Sequence, residues 1–220
     1  MTLNQIAEDI ARDIGKPYDR TNLEQLKYDV VTLRAQFLRQ DVKRNRYLSP
    51  VYEQDLGCID LESTDIAECC DSTITVDCKV HKTTANVPTP LSVTNGYLFT
   101  YAGGIDKQTP YGYIKPEQIS YTLASKYIGG KPYYYFINDR VYVFNSTSKY
   151  VNLRGVFNDP RDAEEFNLCD GADCYTDDDD FPITGDLASR ISMTIIQNKL
   201  RLQGMPETEK IQIDDKTPGR

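Results

Sequence analysis

The sequence predicts an α+β protein in which helices at the two ends pack together as a bundle and a mainly antiparallel β region is inserted between them. Two helix-periodic segments open the chain and a third lies near its end. The segments between them are short, alternate apolar with polar residues, and are bounded by Gly, Pro and Asn, which is typical of strands and turns. Helices grouped on either side of a run of strands favour α+β over an alternating α/β topology.

The first two helices are predicted from their start signals and periodicity. Thr2 and Gln5 have the spacing of a capping box for a helix over 3–14, and Gly15 can adopt the left-handed conformation that ends it. Thr21 and Glu24 predict a second capping box, for a helix that continues to about residue 45. The predicted inward residues of this second helix are Leu23, Leu26, Val30, Leu33 and Phe37, and its predicted surface residues are Arg34, Arg39, Lys43 and Arg44.

The strongest strand signal is a hairpin in "KPYYYFINDRVYVFN". Asn138 and Asp139 suit its turn because both residue types tolerate positive φ. Residues 149–157 are predicted as the next strand, after which Asp159 caps a short helix with Pro160 at its first position. Further strands are expected at 56–63, 72–80 and 97–101, a short helix opening at Pro116, and a closing helix over 184–202 with Leu187, Ile191, Ile195, Ile196 and Leu200 inward.

These elements divide the chain into four predicted parts. Residues 1–50 form an N-terminal helical part, and residues 51–158 form the β-rich region. Residues 159–204 form a C-terminal helical part that is expected to pack on the N-terminal helices. Residues 205–220 are polar and contain two prolines, which predicts a flexible tail.

The composition disfavours nucleic-acid recognition and membrane insertion. The formal net charge is −8, and the one locally basic run, 43–46, falls at a helix end, where cations offset the helix dipole. No segment has the apolar length of a membrane span, and the amphipathic N-terminus lacks the apolar core of a signal peptide. The chain is therefore expected to be made in the cytoplasm with its six cysteines reduced.

No motif predicts catalysis, a cofactor or a metal centre. The single histidine, His81, would need a nucleophile such as Cys58, and no oxyanion or phosphate-binding motif accompanies this pair. The cysteines of the β region lack the paired short spacings of zinc sites, so buried thiols are favoured over zinc and over disulfides. These cysteines are Cys58, Cys69, Cys70 and Cys78. We therefore predict no catalytic, cofactor-binding or metal-binding residue.

The loop "LCDGADCYTDDDDFP" is strongly acidic. Its carboxylates are Asp170, Asp173, Asp177, Asp178, Asp179 and Asp180. Carboxylate oxygens suit calcium or magnesium, but the spacing does not match an EF-hand. A solvated loop that faces a partner is therefore favoured over a cation site.

A tyrosine-rich hairpin is the strongest sign of a contact function. The chain has 16 Tyr and no Trp, and Tyr133, Tyr134 and Tyr135 put large rings on both faces of one strand. One face can enter the core, whereas rings on the other face would suit an interface, because tyrosine buries well and keeps a hydroxyl for hydrogen bonding. The alternative is that these tyrosines are present because aromatic residues favour strands.

Several segments in a fixed order resemble one family. They are the capped helix "TNLEQLKYDVVTLRAQFLRQDVKRN", then "YEQDLGCIDLESTDIAECC", the hairpin, "YVNLRGVFNDPRDAEEF", and "CDGADCYTDDDDFPI" before the closing helix. Over residues 2–202 the chain resembles the head-to-tail connector, or ring, proteins of short-tailed crAss-like bacteriophages. The most specific segments are "LGCIDLE" and "NLRGVFNDP".

The resemblance implies a structural protein of the virion and no enzymatic activity. Such connectors form rings, commonly of about twelve copies, stacked beneath the portal around the channel through which double-stranded DNA leaves. The implied partners are copies of the same chain, the portal protein and a neighbouring ring or tail protein. The passing DNA would not be bound specifically, and no cofactor or membrane is implied.

The candidate interface residues combine the hairpin, the strand after it and the tail. They are Tyr133, Tyr134, Tyr135, Arg154, Phe157, Ile211 and Ile213. Ile211 and Ile213 alternate with polar residues and could add a strand to a neighbouring copy. The alternative function is a small binding module whose acidic loop holds a metal or a basic partner.

Overall fold

The fold was obtained as a computed structural model, which describes residues 1–17, 19–45, 48–65, 79–93, 96–97, 99–127, 130–176 and 178–203. Within these ranges the chain is α+β, as the sequence predicts, with helices and a curled, mainly antiparallel sheet. Most of the strand predicted at 72–80 and the whole of the predicted tail, including Ile211 and Ile213, lie outside the described residues.

Helix α1 spans Leu3–Asp13 and has the predicted capping box. The Gln5 backbone N–H donates to the Thr2 hydroxyl at 3.2 Å, and the Thr2 N–H donates to the Gln5 side-chain oxygen at 3.0 Å. Gly15 follows the helix with φ of +81°, the left-handed conformation expected of it. The buried face of α1 consists of Leu3, Ile6, Ala7, Ile10 and Ala11.

Helix α2 spans Arg20–Asn45 and begins differently from the prediction. The Asn22 N–H donates to Asp19 Oδ1 at 3.2 Å, so Asp19 caps the helix. The prediction of Thr21 as the cap is wrong because the helix already includes Thr21, and an aspartate just before it satisfies the free N–H groups. Glu24 pairs with Lys27 at 3.0 Å instead of completing a capping box.

The sheet is built around strand β10. The strands are β1 Gln54–Asp55, β2 Ile59–Asp65, β3 Lys79–Thr83, β4 Ser92–Val93, β5 Gly96–Tyr97, β6 Phe99–Gly103, β7 Gly112–Tyr113, β8 Tyr133–Ile137, β9 Arg140–Phe144 and β10 Tyr150–Gly155. β10 pairs with β6 on one edge and with β1 and β2 on the other, and the order then continues through β3, β9, β8 and β7. The β7–β8 pair is parallel and the other pairs are antiparallel, while β4 pairs with β5.

A bulge separates β1 from β2 along the edge of β10 with which both strands pair. Gln54 lies opposite Gly155, whereas Ile59 lies opposite Val151, so the two strands differ in register by one residue. Gly57 in this bulge has φ of +64°, and a Cβ atom added to it would lie 2.6 Å from the Cα of Leu168. Only glycine fits this position, because the backbone of the later loop passes directly over it.

The β8–β9 hairpin has the turn that the sequence predicts. Asn138 and Asp139 have φ values of +50° and +57°, as a two-residue type I′ turn requires. Tyr135 lies opposite Tyr142, and Tyr134 lies opposite Val143. The predicted pairing of this hairpin is therefore confirmed.

The sheet curls until its two ends meet at the segment around β7. The Tyr111 N–H donates to the Ala102 carbonyl of β6 at 2.7 Å, and the Ile114 N–H donates to the Tyr134 carbonyl of β8 at 2.9 Å. Inside the curl, the ring of Phe99 lies 6.0 Å from that of Tyr134 and 6.4 Å from that of Phe157. Aromatic residues from strands far apart in the sheet order thus fill its interior.

The remaining helical segments include three short 3₁₀ turns. These turns span Pro50–Tyr52, Pro116–Gln118 and Pro160–Glu165, and the α-helices are α3 Ile119–Ala124 and α4 Gly185–Gln203. Asp159 caps the last turn by accepting from the Arg161 N–H at 2.9 Å, with Pro160 next as predicted. The segment that Asp159 caps, Pro160–Glu165, is therefore a 3₁₀ helix and not the short α-helix that the sequence predicts.

The helices of the two ends contact one another. Helix α2 contacts both α1 and α4, and α1 also contacts α4. Arg190 of α4 pairs with Asp41 of α2 at 3.2 Å and lies 4.3 Å from the ring centre of Phe37. Farther along the same pair of helices, Lys199 lies 3.5 Å from Asp29.

The predicted buried face of helix α4 is wrong at its C-terminal end. Leu200 was expected to be buried and is 51% exposed, because the buried face is defined by Leu187, Ala188, Ile191 and Ile195. Helices and strands contribute to one continuous hydrophobic core, which includes Ile10, Leu38, Leu153, Phe157 and Ile191.

The division of the chain into four parts stays a prediction.

Arg34 of α2 is a buried cation, whereas the sequence predicts it on the surface. Its side chain is 0% exposed. Its Nε donates to the Pro182 carbonyl at 2.8 Å, and its Nη1 donates to the Phe157 carbonyl at 3.0 Å. Its Nη2 donates to the Tyr52 carbonyl at 3.3 Å. The prediction is wrong because three chain segments that are distant in sequence converge on this side chain.

The guanidinium remains charged although it is buried. Burial lowers the pKa of Arg34 to about 10, and the nearby Tyr52, Asp159 and Tyr175 oppose this shift. The guanidinium also lies 5.6 Å from the ring centre of Phe181. Backbone carbonyl oxygens and an aromatic face therefore replace the water that a surface arginine would have.

We expect Arg34→Met to destabilise the protein by about 3–5 kcal/mol, because it leaves buried carbonyls without donors. Urea unfolding followed by circular dichroism measures this change. The matched control is Arg44→Met, an exposed position on the same helix, which should change stability by less than about 0.5 kcal/mol. Equal effects of the two substitutions would contradict a structural role for Arg34.

Candidate assembly site

The outer face of the hairpin carries stacked aromatic rings. The rings of Tyr135 and Tyr142 lie 4.7 Å apart with planes 2° from parallel, and Tyr135 also stacks on Phe144 at 5.6 Å. Tyr133 and Tyr135 are half-buried, and Ile137 at the end of the strand is 41% exposed. This face therefore combines flat aromatic surface with partial solvent access, as an interface would.

Two of the predicted interface residues lie in the core. Tyr134 and Phe157 point into the curled sheet and are buried, with Phe99 between them. Burial, together with a smaller effect of the neighbouring Tyr113, raises the pKa of Tyr134 to about 12. Both side chains are therefore used within the chain. The period-two alternation of strand β8 sends Tyr134 inward, whereas Phe157 lies beyond the end of β10 and is buried in the core.

Arg154 is held by an internal ion-pair network centred on Asp55. The Arg154 Nη2 lies 3.2 Å from Asp55 Oδ2, and the Lys107 ammonium lies 2.7 Å from the same oxygen. The buried Asn152 amide donates to Asp55 Oδ1 at 2.7 Å. Arg154 remains 42% exposed, so it can still contact a neighbour while its position is fixed by Asp55.

The same network lowers the pKa of Asp55. Burial acts in the opposite direction and raises it, but hydrogen bonds from Lys107, the Gly57 backbone, Asn152 and Arg154 outweigh burial. The folded carboxyl therefore ionises below its usual pKa range. Its contribution to stability is present at neutral pH and is lost as the pH falls.

A disulfide joins Cys58 to Cys169, with their Cα atoms 5.0 Å apart. The expectation that all cysteines are reduced is therefore wrong for this pair. Sequence spacing could not reveal it, because 111 residues separate the two cysteines and the bulge at Gly57 brings them together. Burial, together with the nearby aspartates, raises the pKa of the free thiol of Cys174 to about 11, which disfavours the reactive thiolate at neutral pH.

Three of the described carboxylates of the acidic loop bind groups of the chain itself. Asp170 accepts from the Ala172 N–H at 3.1 Å, and Asp179 accepts from the Thr176 N–H at 2.8 Å. Asp180 pairs with the N-terminal ammonium of Met1. Among the residues that the structure describes, which do not include Asp177, no three potential metal ligands come together.

His81 and Cys58 do not form the pair considered from the sequence. Cys58 is bonded to Cys169, and His81 lies in β3, opposite Ser63 on one side and Val143 on the other. A sulfur in a disulfide cannot act as a thiolate nucleophile.

An acidic groove of about 200 Å³ lies beside the hairpin turn. Asp139, Asp162 and Glu165 line it, together with the loop that follows β3. Burial raises the pKa of Asp162, and the nearby charge of Asp159 raises it further. A surface of this charge repels nucleic-acid phosphates.

Residues 5–216 match the family described as phage tail ring protein 2, a family of crAss-like phages. The chain belongs to this family. The family description implies a structural component of the virion that assembles into a ring in the phage tail.

A comparison with curated proteins found no match for this family member. The described helices include none that is both long and apolar enough to cross a membrane. Sequence reasoning missed Arg34 and the Asp55 network, although the four-residue spacing of Val30, Arg34 and Leu38 placed Arg34 on the inward stripe.

We expect reduction of the Cys58–Cys169 bond to lower the stability by about 2–4 kcal/mol, because the unfolded chain regains the freedom of a long loop. Thermal unfolding with and without reductant measures the effect. Cys58→Ser is the matched control, since it should unfold like the reduced wild type and show no further response to reductant. An unchanged wild-type melting temperature after reduction would contradict this prediction.

We expect Asp55→Asn to cost about 1–2 kcal/mol at neutral pH, because charge-assisted hydrogen bonds are lost. The wild type should lose stability as the pH falls below about 4, and the variant should lose less over that range. Urea unfolding at a series of pH values measures both. Asp60→Asn, on the exposed part of β2, is the control, and an identical pH response of all three proteins would refute the role of Asp55.

Proposed function

We propose that this chain is the subunit of a head-to-tail connector ring of about twelve copies that links the portal protein to the tail. The observation that carries this proposal is the family match over residues 5–216. The position next to the portal and the copy number extend beyond the family description and come from the resemblance of the sequence segments. On this proposal the protein acts through contacts and transforms no substrate.

The arrangement of the helices supports this proposal. Contacts between α1, α2 and α4 favour a bundle of terminal helices, with the curled sheet attached through Arg34. On this proposal, each chain of the ring keeps the same arrangement of helices and sheet. Repetition of one heterologous contact around an axis closes a ring when the rotation permits it.

The charge of the chain supports a position at the DNA channel. The net charge is −8, and the acidic groove at Asp139 and Asp162 adds a local negative surface. Phosphates are repelled by such surfaces and not retained. A channel wall of this charge would let double-stranded DNA pass without binding it.

The partly exposed candidates are proposed to contact neighbouring subunits or layers. Tyr133, Tyr135 and Arg154 are accessible on the sheet side of the chain. Ile211 and Ile213 of the tail are proposed to add a strand to a neighbouring copy on assembly. The virion is the site of action, and synthesis takes place in the host cytoplasm.

We expect the purified chain to associate into a ring with a mass of about 300 kDa, the value for twelve copies of the 25.1 kDa chain. Mass photometry and negative-stain images at several concentrations, with and without the portal protein, measure this. A chain ending at residue 204 is the comparison, and weaker association is expected because the proposed strand is missing. A protein that stays monomeric at every concentration, with portal present, would refute the proposal.

A further inference from the structure

Two tyrosines in the crossover between the parallel strands β7 and β8 are almost fully exposed. We use the word crossover for residues 114–132, whose backbone the structure describes outside residues 128 and 129. Tyr121 in α3 is 83% exposed, and Tyr127 after that helix is 86% exposed. Tyrosine is favoured where proteins meet, since its ring buries well and its hydroxyl finds a hydrogen-bond partner. Two such rings in one short segment indicate a contact surface.

The crossover also carries positive charge that the chain itself leaves unpaired. Its cations are the exposed Lys115, Lys126 and Lys131, and its one carboxylate is Glu117. The lysines that form ion pairs within the described chain are Lys27, Lys82, Lys107 and Lys199, none of which belongs to the crossover. A locally basic surface in a chain with a net charge of −8 suits an acidic partner.

An acidic surface lies beside the turn of the β8–β9 hairpin. The groove of about 200 Å³ shares Asp162 and Glu165 with an adjoining recess of about 620 Å³, which Glu164 also lines. Burial raises the pKa of Asp162, and the charges of Asp159 and Glu165 contribute to the shift. The carboxylates therefore repel one another, and cations brought to this surface would relieve the repulsion.

The arginines of this region are already engaged within the chain. Arg161 pairs with Asp159 at 2.6 Å, and Arg140 donates to the Thr83 carbonyl at 2.8 Å. The carboxylates of the surface that form no ion pair with a described residue are Asp139, Asp162, Glu164 and Glu165. The surface is thus concave, negative and open to a cationic partner.

The crossover and the acidic surface lie on different sides of the hairpin. The crossover rejoins the sheet at Lys131, at the start of β8 and on the edge that pairs with β7. The acidic surface lies at the turn, where the Val87 N–H donates to the Asp139 carbonyl at 2.7 Å, on the side of β9 and β3. The five residues of β8 span about 17 Å between the two. One chain therefore presents both surfaces at once, as a heterologous contact requires.

We propose that the crossover of one copy docks on the acidic surface of the next copy in the ring. Charge complementarity selects this occupant, because the unpaired ammonium groups of the crossover meet the unpaired carboxylates Asp162, Glu164 and Glu165. The rings of Tyr121 and Tyr127 supply the apolar area that becomes buried. Their hydroxyls can donate to the same carboxylates.

This inference rests on the proposed ring assembly and adds the contact between its subunits. DNA phosphates are the other partner that lysine and tyrosine side chains would suit. A second copy is favoured, because the same chain presents the complementary charge, and because the crossover contains Glu117 and no arginine. The contact pairs opposite charges within the ring, so each copy keeps its net charge of −8 and an acidic channel wall is retained.

Reversing the charge of each surface tests the contact. The crossover variant carries Lys115→Glu, Lys126→Glu and Lys131→Glu, and the groove variant carries Asp162→Lys, Glu164→Lys and Glu165→Lys. Each variant alone should associate about ten-fold more weakly than the wild type in mass photometry, because like charges then face each other. An equimolar mixture should form rings again, since the crossover of each variant meets opposite charge on the other. All these positions are exposed, and unchanged circular dichroism and melting temperature verify that the variants fold.

The matched control reverses three exposed cations of the helical part, with Lys16→Glu, Lys43→Glu and Arg44→Glu. It changes the net charge as much as the crossover variant does and should form rings like the wild type. Rings of normal mass from both single-surface variants would overturn the proposal, and so would a mixture that stays dissociated. Either result leaves ring assembly itself intact. A wild-type chain that stays monomeric with portal present would instead refute both the assembly and this contact.

Fluorescence anisotropy with a double-stranded DNA duplex tests the other partner. The wild type and the crossover variant should show equally weak DNA binding at physiological salt. Loss of DNA binding in the crossover variant, with ring formation unchanged, would overturn the proposal and assign the crossover to DNA.

Substitution of the two rings tests their part in the contact. Tyr121→Ser combined with Tyr127→Ser should weaken ring formation about ten-fold, because buried aromatic area is lost from every interface. Both side chains are almost fully exposed in the single chain, so its melting temperature as a monomer should not change. Ring formation equal to that of the wild type would refute the burial of these rings between copies.

Discussion

One buried guanidinium connects the helical and β parts of this protein. Arg34 extends from the middle of α2 and donates to carbonyls at Tyr52, Phe157 and Pro182, in three separate segments of the chain. A planar group with five donors can serve several acceptors at once, which no other side chain can do. The path of the chain out of β10 and its approach to α4 both depend on this group.

The bulge between β1 and β2 is a second point at which distant segments are joined. Gly57 lets the backbone of Leu168 pass over the sheet, and the Cys58–Cys169 bond holds it there. Asp55 ties the same region to Arg154 and Lys107. The acidic loop is therefore anchored at its start, and Asp170, Asp179 and Asp180 bind nearby backbone and the N-terminus.

These internal constraints leave particular surfaces available for assembly. The core takes Tyr134 and Phe157, whereas the stacked rings of Tyr135 and Tyr142 stay on the outer face of the hairpin. On helix α4, Met193 and Leu200 are also exposed. The chain belongs to a tail ring family, and a ring is held together by contacts repeated from one copy to the next.

The sequence by itself determined the features that depend on neighbouring residues. The Thr2 capping box, the left-handed Gly15, the Asn138–Asp139 turn and the Asp159 cap all follow from short-range hydrogen bonds and backbone preferences. The α+β class and the family resemblance could also be predicted, since both are carried by segment order. Only the tertiary structure decided that Arg34 is buried, that Cys58 meets Cys169, and that Leu200 faces outward. The spacing of Val30, Arg34 and Leu38 indicates the side of the helix on which Arg34 lies, but the carbonyls that it meets there belong to segments far apart in the chain. The meeting of such distant segments is recorded in no local pattern.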